Sequence, residues 1–196
     1  LGTVDVICTD KTGTLTEGKF QLNEVISFSN LSTNEQWKFA LLACEPIVVD
    51  PMELAIKEKA PIEIDFQTWN LVQDYEFELK GKHMSHVWKN IEGLTIVAMK
   101  GSVEGVLEHC IDLPEIKKKI LLKTEELSSL GFRLLGLAGK TAPIVGIREK
   151  DEEGLTFIAI LAFNDPIRNS AKEAIKICQS EGILVKMITG DHPFTA

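Results

Sequence analysis

The sequence predicts an α/β fold: an incomplete parallel sheet interrupted by an inserted α+β domain that is built on an antiparallel sheet. Three observations carry this reading. Val4, Val6 and Ile7 read as a short buried strand that ends in Asp10 and a polar, Gly13-containing loop. The last part of the chain follows strand–helix–strand logic, which calls for parallel pairing. The middle is strand-rich with flanking helices. The simplest organisation is a domain opened after its first strand with a second domain spliced in. The expected segments are 1–21, 22–166 and 167–196, with crossings near 17–24 and 164–168.

The elements follow in order. Residues 20–26 alternate as a strand. Thr33 and Gln36 have the spacing of a capping box for a helix that runs to about Glu45, with Trp37, Ala40, Leu41 and Cys44 on one face and Pro46 as its stop. Asp50-Pro51 supplies an N-cap and a first-position proline for a second helix, which Pro61 ends. Three strands, at 71–79, 84–89 and 94–100, read as an antiparallel meander. Ser102 caps a short helix to about Cys110. A basic amphipathic helix from Pro114 to about Leu130 is closed by Gly131. Strands at 132–138 and 155–163 follow. Asn169 or Ser170 then caps a helix with Ala171, Ala174, Ile175 and Cys178 on one face, and a strand at 183–188 leads into Thr189-Gly190-Asp191.

Composition narrows the function classes. With 196 residues, 44% hydrophobic and 26% charged, the chain has the make-up of an ordinary soluble globular protein. A net charge of −8 argues against a general nucleic-acid or anionic-membrane binder. No apolar run approaches the ~18 residues of a membrane-spanning helix, and no signal peptide is apparent. Cys8, Cys44, Cys110 and Cys178 form no CxxC pair and read as reduced core thiols of an intracellular protein. No His/Cys spacing marks a metal site, and His83 and His86 read as surface or strand-edge histidines.

Asp10 carries the chemistry. It sits at a strand's carboxyl end, where open α/β sheets bind ligands. Gly13 lets the loop N–H groups curl around an oxyanion. A carboxylate beside a phosphate cradle suggests a nucleophile that forms an acyl phosphate. The stretch Asp10-Lys11-Thr12-Gly13-Thr14-Leu15-Thr16 resembles the phosphorylation motif of the P-type ATPases. The resemblance implies that ATP phosphorylates Asp10. It also implies that Asp10 and the Thr12 carbonyl bind Mg²⁺, and that Asp10, Lys11 and Thr12 serve catalysis. These pumps resemble haloacid-dehalogenase-type phosphatases, whose second Asp lies where Thr12 stands. Threonine cannot act as a general acid–base at neutral pH, so an aspartyl phosphate here is expected to hydrolyse slowly.

Other segments extend the resemblance. Phe77, with Lys82 five residues on and then Met84-Ser85, resembles the family segment in which a Phe stacks on adenine and a Lys approaches the nucleotide. Lys100-Gly101-Ser102-Val103-Glu104 resembles KGAPE at the base of the nucleotide pocket, with Ser-Val in place of Ala-Pro. Glu53 resembles the acidic residue that meets the adenine amino group, and Arg133 the arginine that reaches ATP phosphate. Asp165-Pro166-Ile167-Arg168 resembles the DPxR hinge, where Arg168 could hold a carboxylate or phosphate. Thr189, Gly190 and Asp191 resemble TGD, which lies beside the phosphorylation site.

The resemblance implies a haloacid-dehalogenase-like phosphorylation domain with an inserted nucleotide-binding domain, at the cytoplasmic face of a membrane. It implies ATP and Mg²⁺ as ligands. It further implies an actuator domain of the same parent chain and a cation carried by membrane helices outside this sequence. The KGxxE segment looks more like the calcium, sodium/potassium, proton or magnesium pumps than the heavy-metal pumps. The sequence ends five residues after Asp191, before the family's GDGxNDxP motif. The expectation is therefore that these residues alone bind ATP without efficient self-phosphorylation. Two alternatives stay open: a soluble haloacid-dehalogenase-type phosphatase, which Thr12 opposes, and a non-catalytic nucleotide sensor.

Overall fold

The computed structural model describes residues 4–188; Thr189, Gly190 and Asp191 lie outside the described residues. Two sheets organise the chain. Strand β1 (Val6–Asp10) pairs in parallel with β8 (Leu184–Ile188), in the register Val6↔Leu184 to Asp10↔Ile188. Helix α6 (Asn169–Ser180) precedes β8. The parallel pairing agrees with the expectation, but the expected burial of β1 does not. Val6 is 45% exposed, because among the described residues β1 has one neighbouring strand and little cover.

The second sheet is antiparallel throughout. Its strands are β2 (Gln21–Ser27), β3 (Trp69–Glu78), β4 (His83–Asn90), β5 (Thr95–Gly101), β6 (Arg133–Thr141) and β7 (Thr156–Asn164). Their spatial order is β2-β7-β6-β5-β4-β3. The hairpins β3-β4-β5 form the expected meander, and the last strand returns beside the first. Side chains alternate between two cores. Ile96, Ala98 and Leu161 enter one core with α1 (Thr33–Leu42) and α2 (Pro51–Lys59). Val97, Met99 and Ala162 enter the other with α3 (Val103–Glu108) and α4 (Pro114–Ser129). Helix cover on both faces explains the unbroken apolar run of β7, which no half-exposed strand would need.

Local chemistry sets the helix ends. Asp50 accepts from the Met52 and Glu53 N–H groups, and Pro51 occupies the first turn, as expected. The α1 capping box is one residue earlier than the sequence suggested: Ser32 and Glu35 cap reciprocally, not Thr33 and Gln36. A carboxylate at that third position also complements the helix dipole, which a neutral Gln cannot do. Neither Asn169 nor Ser170 caps α6; Arg168 holds the N-cap position without a side-chain bond. A short helix, α5 (Arg148–Asp151), interrupts the connection between β6 and β7 and was not foreseen.

Two further expectations change. His83 and His86 are fully buried rather than at the surface, because β4 lies between β3 and β5 with a helical layer on each face. Cys44 and Cys110 are core thiols, and burial raises each pKa to about 12, but Cys8 is exposed and Cys178 only partly covered.

Candidate functional site

The first candidate site is an open cleft of about 570 Å³ on the antiparallel sheet. Phe77, Lys82, Gly101 and Arg133 line it together, although they come from three separate segments. A register shift between Tyr75 and Glu78 precedes the β3–β4 turn. Such bulges re-aim side chains, and here Phe77 stands 55% exposed at the cleft while Tyr75 is buried.

Lys82 occupies the turn that follows. Among the described residues it alone of the non-glycines has a left-handed backbone, with φ 51°. That conformation costs a lysine roughly 1–2 kcal/mol and persists because its surroundings fix it. The Lys82 carbonyl accepts from Ser102 N at 2.8 Å, and a Cβ on Gly101 would collide with that carbonyl. Gly101 therefore lets β5 close on the turn and sets Lys82 at the cleft rim. Arg133 starts β6, with its guanidinium 5.4 Å from the Phe20 ring centroid.

Lys100 and Glu53 are placed differently. They form a buried ion pair, Nζ to Oε1 at 2.5 Å, next to the lining residues Gly101 and Met52. Lys100 Nζ also donates to the Ala43 carbonyl at 2.6 Å, and Glu53 Oε2 accepts from Glu45 N at 3.1 Å. The pair thus ties β5, the end of α1 and the start of α2 together beside the cleft. Ser102 and Phe132 also line it. The sequence marked Ser102 as a helix cap within the KGAPE-like segment, and Phe132 only as a strand start.

The second candidate site is the Asp10 loop. Asp10 is exposed at the carboxyl end of β1, and its Oδ1 accepts from Lys11 N at 2.7 Å. Residues 11–16 curl back on themselves: Thr16 N donates to the Lys11 carbonyl at 3.1 Å, and Gly13, at φ +77°, donates to Thr16 Oγ1 at 3.1 Å. Thr12, Gly13 and Thr14 are exposed. An exposed carboxylate and carbonyl-bearing loop suit a hard, oxygen-seeking cation.

The segment after β7 clamps this loop. Asp165 Oδ2 accepts from Thr16 Oγ1 at 2.6 Å, and Asp165 Oδ1 accepts from Gly18 N at 2.9 Å. Thr16 also bridges to Ile167. Arg168 Nε donates to the Thr16 carbonyl at 2.9 Å, and its Nη2 reaches the Gly13 carbonyl at 3.2 Å. Arg168 was expected to hold a carboxylate or phosphate. It holds backbone carbonyls instead, because the loop's turn directs them at the fork.

A carboxylate on a clamped loop at a parallel strand end, beside an antiparallel sheet bearing a cationic, aromatic cleft, defines a class. The chain belongs to the P-type ATPase family: residues 46–170 match the family model for P-type ATPase, cytoplasmic domain N. It is 31% identical over 198 residues to a plasma membrane ATPase of Dunaliella bioculata, covering 96% of this chain and 17% of that protein. A probable cation-transporting P-type ATPase of Mycoplasma genitalium is 31% identical over 210 residues, covering 100% of this chain and 24% of that protein. Plasma membrane ATPase 1 of Saccharomyces cerevisiae is 29% identical over 201 residues, covering 97% and 21%. The chain therefore spans about a fifth of the length of these relatives. No helix among the described residues is long and apolar enough to cross a membrane.

Proposed function

We propose that this chain is the ATP-binding and phosphorylated region of an ATP-driven cation pump, at the cytoplasmic face of a membrane. The observation that carries the reading is convergence: Phe77, Lys82, Gly101 and Arg133, read from separate motifs, line one cleft. Its volume lies within the roughly 300–1,000 Å³ of ligand pockets. The exposed Phe77 face offers a stacking surface for adenine. Lys82 and Arg133 supply positive charge for the phosphates, with Arg133 able to form a bidentate contact. The Glu53–Lys100 pair shapes the cleft wall beside the adenine end.

Asp10 is the acceptor of the γ-phosphoryl group. Its carboxylate oxygen attacks phosphorus as the bond to the β-phosphate bridging oxygen breaks, giving an aspartyl phosphate and ADP. Asp10 and the Thr12 carbonyl would hold Mg²⁺, which neutralises phosphate charge when bound. Gly13 keeps the loop tight, and Thr12, in place of a general acid–base, favours a persistent intermediate. Segments 1–21 and 167–196 form the phosphorylation domain of haloacid-dehalogenase type, and 22–166 the inserted nucleotide-binding domain. The crossings at Thr16 and Ile167 join them. A cation-conducting membrane part and an actuator domain belong to the full-length protein in this reading.

The test is labelling of the full-length protein with γ-labelled ATP and Mg²⁺. Acid-stable, hydroxylamine-sensitive label is expected on Asp10, and Asp10→Asn should abolish it while ATP binding persists. Label that survives Asp10→Asn refutes the assignment.

A further inference from the structure

The two buried histidines of β4 differ in what their ring nitrogens meet. His83 Nε2 lies 3.2 Å from Glu152 Oε2, but that carboxylate already accepts from Ser85 Oγ and Arg148 Nε. His86 is different. Its side chain is fully buried, Nδ1 lies 3.3 Å from the Leu42 carbonyl oxygen, and Nε2 has no hydrogen-bond partner. Nε2 instead lies 3.4 Å from Asp74 Oδ1 and 3.8 Å from Glu45 Oε2, two carboxylates about 40% exposed.

A neutral imidazole has one N–H and one lone pair. If Nδ1–H donates to Leu42, the Nε2 lone pair faces two anions. If Nε2–H faces the carboxylates, the Nδ1 lone pair faces a carbonyl oxygen. Either tautomer sets a lone pair against an acceptor. A cation held between Nε2 and the carboxylates removes the conflict and leaves Nδ1–H on a backbone carbonyl, the usual arrangement of a metal-bound histidine.

The separations favour a metal ion. Ligand atoms about 2.0–2.1 Å from a tetrahedral ion lie about 3.3–3.4 Å from one another. Nε2 and Asp74 Oδ1 are already 3.4 Å apart, and the partly exposed Glu45 has only to close from 3.8 Å. The competing cation is a proton, which would turn the ring into an imidazolium facing the same two carboxylates.

We propose that Glu45, Asp74 and His86 bind a divalent transition-metal ion of the zinc class, with a fourth position open to water. The imidazole selects against Mg²⁺ and Ca²⁺, which prefer oxygen ligands. The ion would join the segment after α1 to β3 and β4. It would also sit beside the Glu53–Lys100 pair, since Glu45 N donates to Glu53. Trp88 is an internal reporter. Its indole N–H donates to the same Leu42 carbonyl at 2.7 Å, and its ring lies 6.4 Å from that of His86.

Titrating the 196-residue chain with Zn²⁺, followed by calorimetry and the Trp88 indole N–H NMR signal, is expected to show one ion per chain at this site. Co²⁺ should give the intense visible absorption of a tetrahedral ion. Asp74→Asn and Glu45→Gln alter partly exposed side chains and should each weaken Zn²⁺ at least tenfold, while His109→Asn, whose ring lies 4.3 Å from that of His83, leaves binding unchanged. Unchanged Zn²⁺ affinity in the Asp74→Asn, Glu45→Gln double variant overturns the site. So does loss of binding through His109→Asn alone, or a His86 that is an imidazolium at neutral pH with no response to Zn²⁺.

Discussion

Replacing Asp165 with alanine tests how the Asp10 loop is held. Asp165 accepts two hydrogen bonds, from Thr16 Oγ1 at 2.6 Å and Gly18 N at 2.9 Å. Bonds to a charged group contribute about 1.5–3 kcal/mol each. The full sum will not be lost. Gly18 is partly exposed, so water can replace one acceptor, and the Thr16 hydroxyl can turn to the Lys11 carbonyl 3.2 Å away. Thr16 itself is 2% exposed, so that second bond must form inside the protein. A net cost of about 2 kcal/mol follows from these bond strengths. Urea unfolding reads the global loss, and hydrogen exchange at Gly18 reads the local one. In a double-mutant cycle with Thr16→Val, the coupling should be about 1 kcal/mol or more. A cost under about 0.5 kcal/mol, well below one charged hydrogen bond, with Gly18 exchange unchanged, would refute the clamp.

Two further predictions concern buried charge. Glu53→Gln leaves Lys100 charged and buried, and should cost about 3–5 kcal/mol of unfolding free energy; the double change Glu53→Leu, Lys100→Met should recover much of it, measured by the same urea titration. Stability should also fall on acidification, in two windows. Burial and the neighbouring His83 hold the His109 pKa below its ordinary value, so the unfolded chain binds the extra proton first, and stability drops as pH falls below about 6.5. Glu152 is raised by burial but lowered more by Arg148, Ser85 and His83, so its contribution is present above about pH 4.5 and is lost as pH falls through its depressed folded value. Thermal midpoints measured from pH 8 to pH 3 check both signs.

Much of the fold was legible because its signals are local. Asp50-Pro51 marked α2, Gly131 marked the end of α4, and the apolar run of β7 marked a strand. The misreadings have non-local causes. His86 looks like a polar strand residue until Leu42, 44 positions away, is found against its ring. The Glu53–Lys100 pair joins a helix start to a strand end through a contact that no spacing announces. Arg168 offered a planar fork, but only the fold shows that the loop around Gly13 turns its carbonyls into it. The ligand residues of the proposed zinc-class site, Glu45, Asp74 and His86, lie on three segments with no metal-binding spacing. The cleft residues were picked out only by the resemblance of their segments to a known family, since Phe77 taken alone reads as a strand residue.

The central claim is that the Phe77 cleft binds ATP. Calorimetric titration of the chain and of Phe77→Ala with ATP tests it most directly. Aromatic–base stacking contributes roughly 1–3 kcal/mol, so affinity should fall about 5- to 150-fold in the variant while Zn²⁺ binding at His86 is unaffected. Equal ATP affinity in both proteins would contradict the account.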